Sequence, residues 1–335
     1  MSKGMRRFLL ICAIVFAAGC VISITGFVTG GISGLSRISN RYVWFVAPSD
    51  ELKTVYLDTS DVKKTSSGQL FDRIKIEGDA DVTICSGDSS KTRSTSGKNV
   101  KAPEMYIEKG VLYIKYKAGD SGVINLSGKD TYPGVEVFCG SDWTLKSIDI
   151  DGSGGDYSIS DVNVSDISAD CGSGDLDMKS VHFDKADIKA GSGDTDIESS
   201  EGRSLKLKSS SGDIMLKDMN VADSDISADS GEVDVEGISS RYLKAVTVSG
   251  DCNIQGVLKG TTDVSAKSGD VDIETELSRD AYELVTDVRS GEISIDRDDD
   301  DDEDSHDSKG AHHVKDRQYT IKVKLDSGDL QMSFR

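Results

Sequence analysis

The chain has 335 residues and a formal net charge of −20 at pH 7. Such an acidic balance argues against nucleic acid, whose phosphates need a basic footprint, and against direct docking on anionic lipids or anionic wall polymers. Only 6% of the residues are aromatic and two are tryptophan, which counts against a polysaccharide-active enzyme.

Residues 1–7 read as a cytoplasmic tail carrying Lys3, Arg6 and Arg7. Phe8 to Ile32 is free of charge, and a helix of that length reaches about 37 Å, enough for a bilayer core of about 30 Å. Basic residues ahead of the span and acidic chain after it place the N-terminus inside and the bulk of the chain outside, as a single-pass signal anchor. Two alternatives stay open. Ala17-Ala18-Gly19-Cys20 is a weak lipoprotein box, although the apolar run continues past Cys20; a cleaved signal peptide would have a shorter apolar core. Residues 33–68 read as a juxtamembrane linker, with Tyr42-Val43-Trp44-Phe45-Val46 at the interface or forming a first strand.

Gly78-Asp79-Ala80-Asp81-Val82 is a degenerate early copy of a motif that becomes strict downstream. Gly155, Gly174, Gly193, Gly212, Gly231, Gly250 and Gly269 stand 19 residues apart, and each is followed by an acid: Asp156, Asp175, Asp194, Asp213, Glu232, Asp251 and Asp270. Aligned in rows of 19, the sequence sorts into columns. One apolar column holds Ile150, Ala169, Ile188, Leu207, Ile226, Ala245 and Val264. A second holds Ile159, Met178, Ile197, Leu216, Val235, Ile254 and Ile273, and a third lies two residues before it. Polar residues alternate with these columns, the period of a half-buried strand.

Each row is therefore two short strands joined by a Ser-Gly turn, with glycine supplying a positive φ. No row can enclose a core alone, so the rows must stack. The expected fold is all-β: a β-solenoid, right-handed with 19-residue rungs, spanning 69–335 behind one transmembrane helix. Regular hairpins in a sandwich are the competing reading, but they do not require identical columns in every row. Small residues at Cys171, Ala190, Ser209, Ala228, Thr247 and Ala266 fit a narrow inner corner. Gly291 begins a late row with three extra residues and Gly328 begins the last. Between them lies an acidic insertion at about 297–316, whose run from Asp298 to Asp307 reads as a solvated, disordered loop.

Cys12 and Cys20 fall in the apolar span. Cys171 and Cys252 lie in different columns several rows apart, too far for a disulfide. Cys85 and Cys139 end two similar strands and are candidates for a bridge.

The order of Phe71-Asp72-Arg73-Ile74-Lys75-Ile76-Glu77-Gly78-Asp79, Val111-Leu112-Tyr113-Ile114-Lys115, Val135-Glu136-Val137-Phe138, Leu145-Lys146-Ser147-Ile148 and then the Gly-acid rows resembles a bacterial envelope family of unknown function whose β-strand repeats are labelled "putative adhesin". The resemblance covers residues 69–335 and implies a membrane-anchored extracytoplasmic β-helix. It brings no catalytic residues.

The acid column is the sharpest candidate site. Carboxylates stacked about 4.8 Å apart repel, so each either caps its own turn through backbone N–H groups or shares calcium with its neighbours. Asp156, Asp175, Asp194, Asp213, Glu232, Asp251 and Asp270 are the candidate calcium ligands, and turn capping is the reading preferred. No other cofactor is expected. Three functions follow from these features: a non-catalytic adhesin or binding and scaffolding module contacting an envelope polymer or another surface protein; a spacer or envelope-stress sensing component; and a polysaccharide-active β-helix enzyme. No Ser/His/Asp or Cys/His arrangement supports the last, and acids are too numerous to single out a glycosidase pair.

Overall fold

A computed structural model describes residues 53–87, 91–96, 101–117, 133–295 and 317–335. The anchor read over 8–32 and the acidic insertion lie outside these residues. Among the described residues no helix is long and apolar enough to cross a membrane.

The alternation read from the sequence builds two parallel β ladders that face each other across one core. One ladder carries the longer strands Thr144–Asp151, Asn163–Asp170, His182–Ala190, Glu201–Ser209 and Asn220–Ala228, and the other carries Tyr157–Ser160, Leu176–Lys179, Thr195–Glu198 and Ile214–Lys217. Register advances by one row per strand: Ala169 pairs with Ile188 and Met178 with Ile197. Farther on, Val233–Ser249 and Cys252–Ser268 run unbroken from one ladder round the corner into the other, with register shifts between Val235 and Ile238 and between Ser240 and Tyr242.

The three apolar columns point inward and are buried throughout; Leu207, Leu216 and Val233 are each 0% exposed. Full burial of such side chains contributes about 1.5–3 kcal/mol apiece, and they form one continuous core from Phe71 to Met332. The inner-corner residues from Cys171 to Ala266 are buried as well.

The ends of the stack depart from the sequence order. Strand Arg73–Gly78 lies between Val111–Tyr116 and Thr144–Asp151, so the second rung of the chain is the outermost in space. Strand Asp81–Gly87 is likewise sandwiched between Gly134–Gly140 and Tyr157–Ser160. At the other end the chain's final rung, Tyr319–Ser327 and Leu330–Phe334, slots between the rung ending at Thr275 and the outermost rung formed by Tyr282–Val288 and Ile293–Ile295. Both terminal rungs are thus intercalated. The three extra residues of the late row now have a reason. Ile293 and Val271 both pair with Leu330, so the turn after Thr275 must climb two rungs rather than one.

Particular side chains hold these climbs. The Tyr282 hydroxyl donates to the Leu258 carbonyl at 2.8 Å and meets Thr275 Oγ1 at 2.7 Å, reaching past the inserted rung. The Arg317 guanidinium donates to the carbonyls of Arg279 and Tyr282 at 2.9 and 2.8 Å. At the N-terminal end Trp143 packs edge-on against Phe71, ring centroids 5.3 Å apart.

Two expectations are corrected here. Part of the stretch read as linker belongs to the folded unit: Lys53–Tyr56 pairs antiparallel with Lys91–Ser96, which pairs antiparallel with Gly134–Gly140. Together with Glu104–Glu108 on Val111–Tyr116, these strands cover the N-terminal edge of the stack. Cys85 and Cys139 are both free thiols. Alternation buries Cys139 with Val135 and Val137 while Cys85 points to the other side of the sheet, so adjacent strands carry the two sulfurs on opposite faces.

Candidate functional site

The Gly-acid turn begins with a glycine that takes the expected positive φ at Gly250 and Gly269, 136° and 122°, but has a different role in the earlier rows. Gly155, Gly174, Gly193, Gly212 and Gly231 do not adopt positive φ. Their constraint is stacking. A Cβ on Gly193 would stand 2.1 Å from the Gly174 carbonyl oxygen, and one on Gly212 only 1.9 Å from that of Gly193. Each turn lies so close on the turn before it that any side chain collides with backbone. In these rows the residues that carry a side chain at positive φ fall in the opposite turn, where Asp161, Ser180, Ser199 and Asp218 have φ of 52–55°.

This close approach sets the geometry of the acids. The Asp175 amide donates to Asp156 Oδ1 at 3.1 Å, Asp194 to Asp175 at 3.0 Å, Asp213 to Asp194 at 2.9 Å and Glu232 to Asp213 at 2.9 Å. In return, the amide after each acid donates to the backbone carbonyl of the next acid, as Leu176 does to Asp194 at 2.9 Å. Each carboxylate therefore caps the turn of the following rung, not its own. The series begins at Asp81, which accepts from Asp156 at 3.1 Å. It ends in the intercalated order, from Asp251 to Asp270, then Asp329, then Glu292, each bond at 2.8 Å. Among the described residues the chain of bonds is broken once, after Glu232. That side chain is one methylene longer and accepts from Asn253 Nδ2 at 2.9 Å.

A second acidic row lies beside the first, on the outward positions of the short strands. Burial raises the pKa of Asp196, and the charges of Asp177, Asp194, Asp175 and Asp213 add to it. Asp234 and Asp272 are raised by burial first and then by Glu236 and Glu274, respectively. Exposed pairs such as Lys179–Glu198 at 2.9 Å relieve the outer edge only slightly.

For calcium, six to eight oxygens at 2.3–2.6 Å are needed. In the ladder each rung contributes one turn carboxylate, and one oxygen of it already accepts an amide. Among the described residues no three His, Cys, Asp or Glu side chains group as a metal site. Nor do the thiols look nucleophilic, because burial pushes Cys139, Cys171 and Cys252 up to about 12. Among the described residues one histidine occurs, His182, with Nε2 3.8 Å from Glu201 Oε2.

One feature escaped the sequence reading. A groove of about 670 Å³ crosses the rungs where the long strands begin. One wall is the column of Asn163, His182, Glu201 and Asn220, and the other includes Asp184, Arg203 and Arg241. These outward positions change residue type from each row to the next, so the alternation of apolar columns carried no signal for them. The notch at its centre comes from Gly202, whose missing side chain is replaced by the Phe183 ring; a Cβ there would meet Cε2 at 2.1 Å.

The family model described as Toastrack DUF4097 matches residues 71–257 and 204–333. The chain belongs to the Toastrack DUF4097 family. The two overlapping matches of the Toastrack model fall on the stacked rungs and reach into the intercalated last one. Among solved structures, the chain is similar to a "putative adhesin" from Bacteroides fragilis, at 15% identity, 87% coverage of this chain, 100% of that one and a TM-score of 0.43. A "putative adhesin" from Parabacteroides merdae is 16% identical over 84% of this chain and 95% of its own, with a TM-score of 0.49. A "putative lipid binding protein" from Parabacteroides distasonis is 15% identical over 85% and 96%, with a TM-score of 0.48. No curated protein matches this Toastrack chain.

Proposed function

We propose that this protein is a non-catalytic binding or scaffolding module, held by its N-terminal apolar segment in the cell membrane and displayed on the outside as an adhesin-type β-solenoid. The observation that carries the reading is the repetition itself. Among the described residues the repeated rungs spend their inward residues on the core and nearly all their turn carboxylates on bonds to the next rung, which leaves the long outward columns as the contact surface. A stack stiffened in this way suits the presentation of a contact surface away from the membrane. The acidic turn face keeps neighbouring anionic surfaces at a distance, and the partner is an envelope polymer or another surface protein. The buried, high-pKa thiols and the scattered acids favour binding over catalysis.

The test uses intact cells expressing the full-length chain. External protease should remove the folded portion while cytoplasmic markers survive, and cells lacking the gene should adhere less to whole-cell or extracted-envelope surfaces. Protection of the folded portion in intact cells would sink the reading.

A further inference from the structure

Resting on that reading, we infer that the groove across the long strands is the binding site and that its ligand is an extended, uncharged glycan lying along the stack axis. Three observations carry this inference.

The first is shape. From Thr144 to Ser239 the groove passes over successive strands in register, a run of roughly 24 Å at the spacing of neighbouring strands. Corresponding positions recur once per rung, and an extended polysaccharide likewise presents one sugar per short, regular step. The second is chemistry. The walls present planar polar groups, namely the amides of Asn163 and Asn220, the carboxylates of Asp184 and Glu201 and the guanidinium groups of Arg203 and Arg241. Such groups form paired hydrogen bonds with vicinal hydroxyls. The floor between them is formed by Gly202 and the almost wholly buried Phe183, so a sugar would be held by its hydroxyls rather than by ring stacking.

The third observation is charge. Along the groove Arg203, Arg241 and Lys259 stand against Asp184, Glu201 and Asp223, with Arg203 3.8 Å from Asp184 and Arg241 2.9 Å from Asp223. The groove is locally balanced on a chain of net charge −20. A polyanion would be repelled by the chain as a whole and a polycation would be drawn to the acidic turn face instead. A neutral chain has no reason to leave the groove.

The experiment is affinity electrophoresis of the purified full-length chain in mild detergent, through gels containing laminarin or mannan as neutral glycans, or alginate as a polyanion. Retardation by a neutral glycan is expected. The double variant Arg203→Ala with Asn220→Ala should bind about tenfold more weakly, the loss of one to two net hydrogen bonds, at an unchanged melting temperature. Lys217→Ala, on the short-strand side, should bind as wild type. If the double variant melts early, Arg241→Ala alone serves, with weaker binding expected. The inference is overturned by absence of retardation in both neutral gels, by retardation in alginate alone, or by equal binding of folded groove variants. Because purified protein is used, failure here leaves the surface-display test standing, and failure of display leaves the binding result intact.

Discussion

Asp194 sits at the middle of a relay: its amide donates to Asp175 and its carboxylate accepts from Asp213. Asp194→Ala removes the acceptor and leaves the Asp213 amide to solvent, and should cost about 1 kcal/mol. Asp194→Asn keeps an oxygen in place and should be close to neutral. Thermal melting of the two variants distinguishes hydrogen bonding from charge as the reason for the column. Because one oxygen of each carboxylate is already engaged, excess chelator should leave the melting temperature unchanged; a clear drop would restore calcium to the ladder. Asp196 poses the opposite case. Burial and neighbouring carboxylates raise its pKa in the folded state, so only between the ordinary and the raised value does the folded protein hold a proton that the unfolded chain has lost. The charged form is then a penalty at neutral pH that fades as pH falls through the raised value. Asp196→Asn should therefore raise the melting temperature slightly at pH 7, and the gain should shrink as the pH approaches the ordinary carboxylate range.

The two turns of a rung make opposite demands, and substitutions there should have opposite signs. Gly193→Ala places a Cβ against the Gly174 carbonyl oxygen and should destabilise by about 1–3 kcal/mol, the usual cost of overpacking. Ser199 has φ of 52°, a conformation costing about 1–2 kcal/mol for residues with a Cβ. Ser199→Gly relieves that strain at some cost in chain entropy and should stabilise by about 0.5 kcal/mol. Denaturant melts of both variants read this out. The inward columns were legible in the sequence because apolar alternation and strand register share one period. The glycine column was legible in position, but its cause was legible only at Gly250 and Gly269, where φ is positive. Sequence alone does not distinguish a glycine needed for its φ from one needed for its absent side chain. Cys85 and Cys139 misled for a related reason: similar local sequences do not reveal a one-residue difference in facing.

At the scale of the molecule, the intercalated ends are the largest departure from chain order. Three extra residues in the late row were visible as an irregularity, but their meaning depends on a strand that arrives more than twenty residues later. The groove was invisible for the opposite reason, since its walls are built from positions that do not repeat. Removing residues 319–335 should cost more than one rung, because the Tyr282–Ile295 rung loses its only described neighbour and its climbing turn is too long to settle on the rung below. Hydrogen exchange should then show both rungs unprotected. Deleting Ser278–Asp280 in the truncated chain restores the 19-residue step and should return protection to 282–295. Unchanged exchange in the truncated chain would refute the account.

Intercalation also settles where such a protein is free to change length. Both ends are interlocked by specific side chains, Trp143 with Phe71 at one and Tyr282 with Thr275 at the other, whereas the rungs from Asn163 to Ala228 succeed one another at a constant 19-residue step. Duplicating or excising 19 residues between the ends, such as 163–181, leaves each carboxylate opposite an amide, each glycine over a glycine and Phe183 beside Gly202. Over evolutionary time the stack can lengthen or shorten from its centre, carrying its two closures along unaltered.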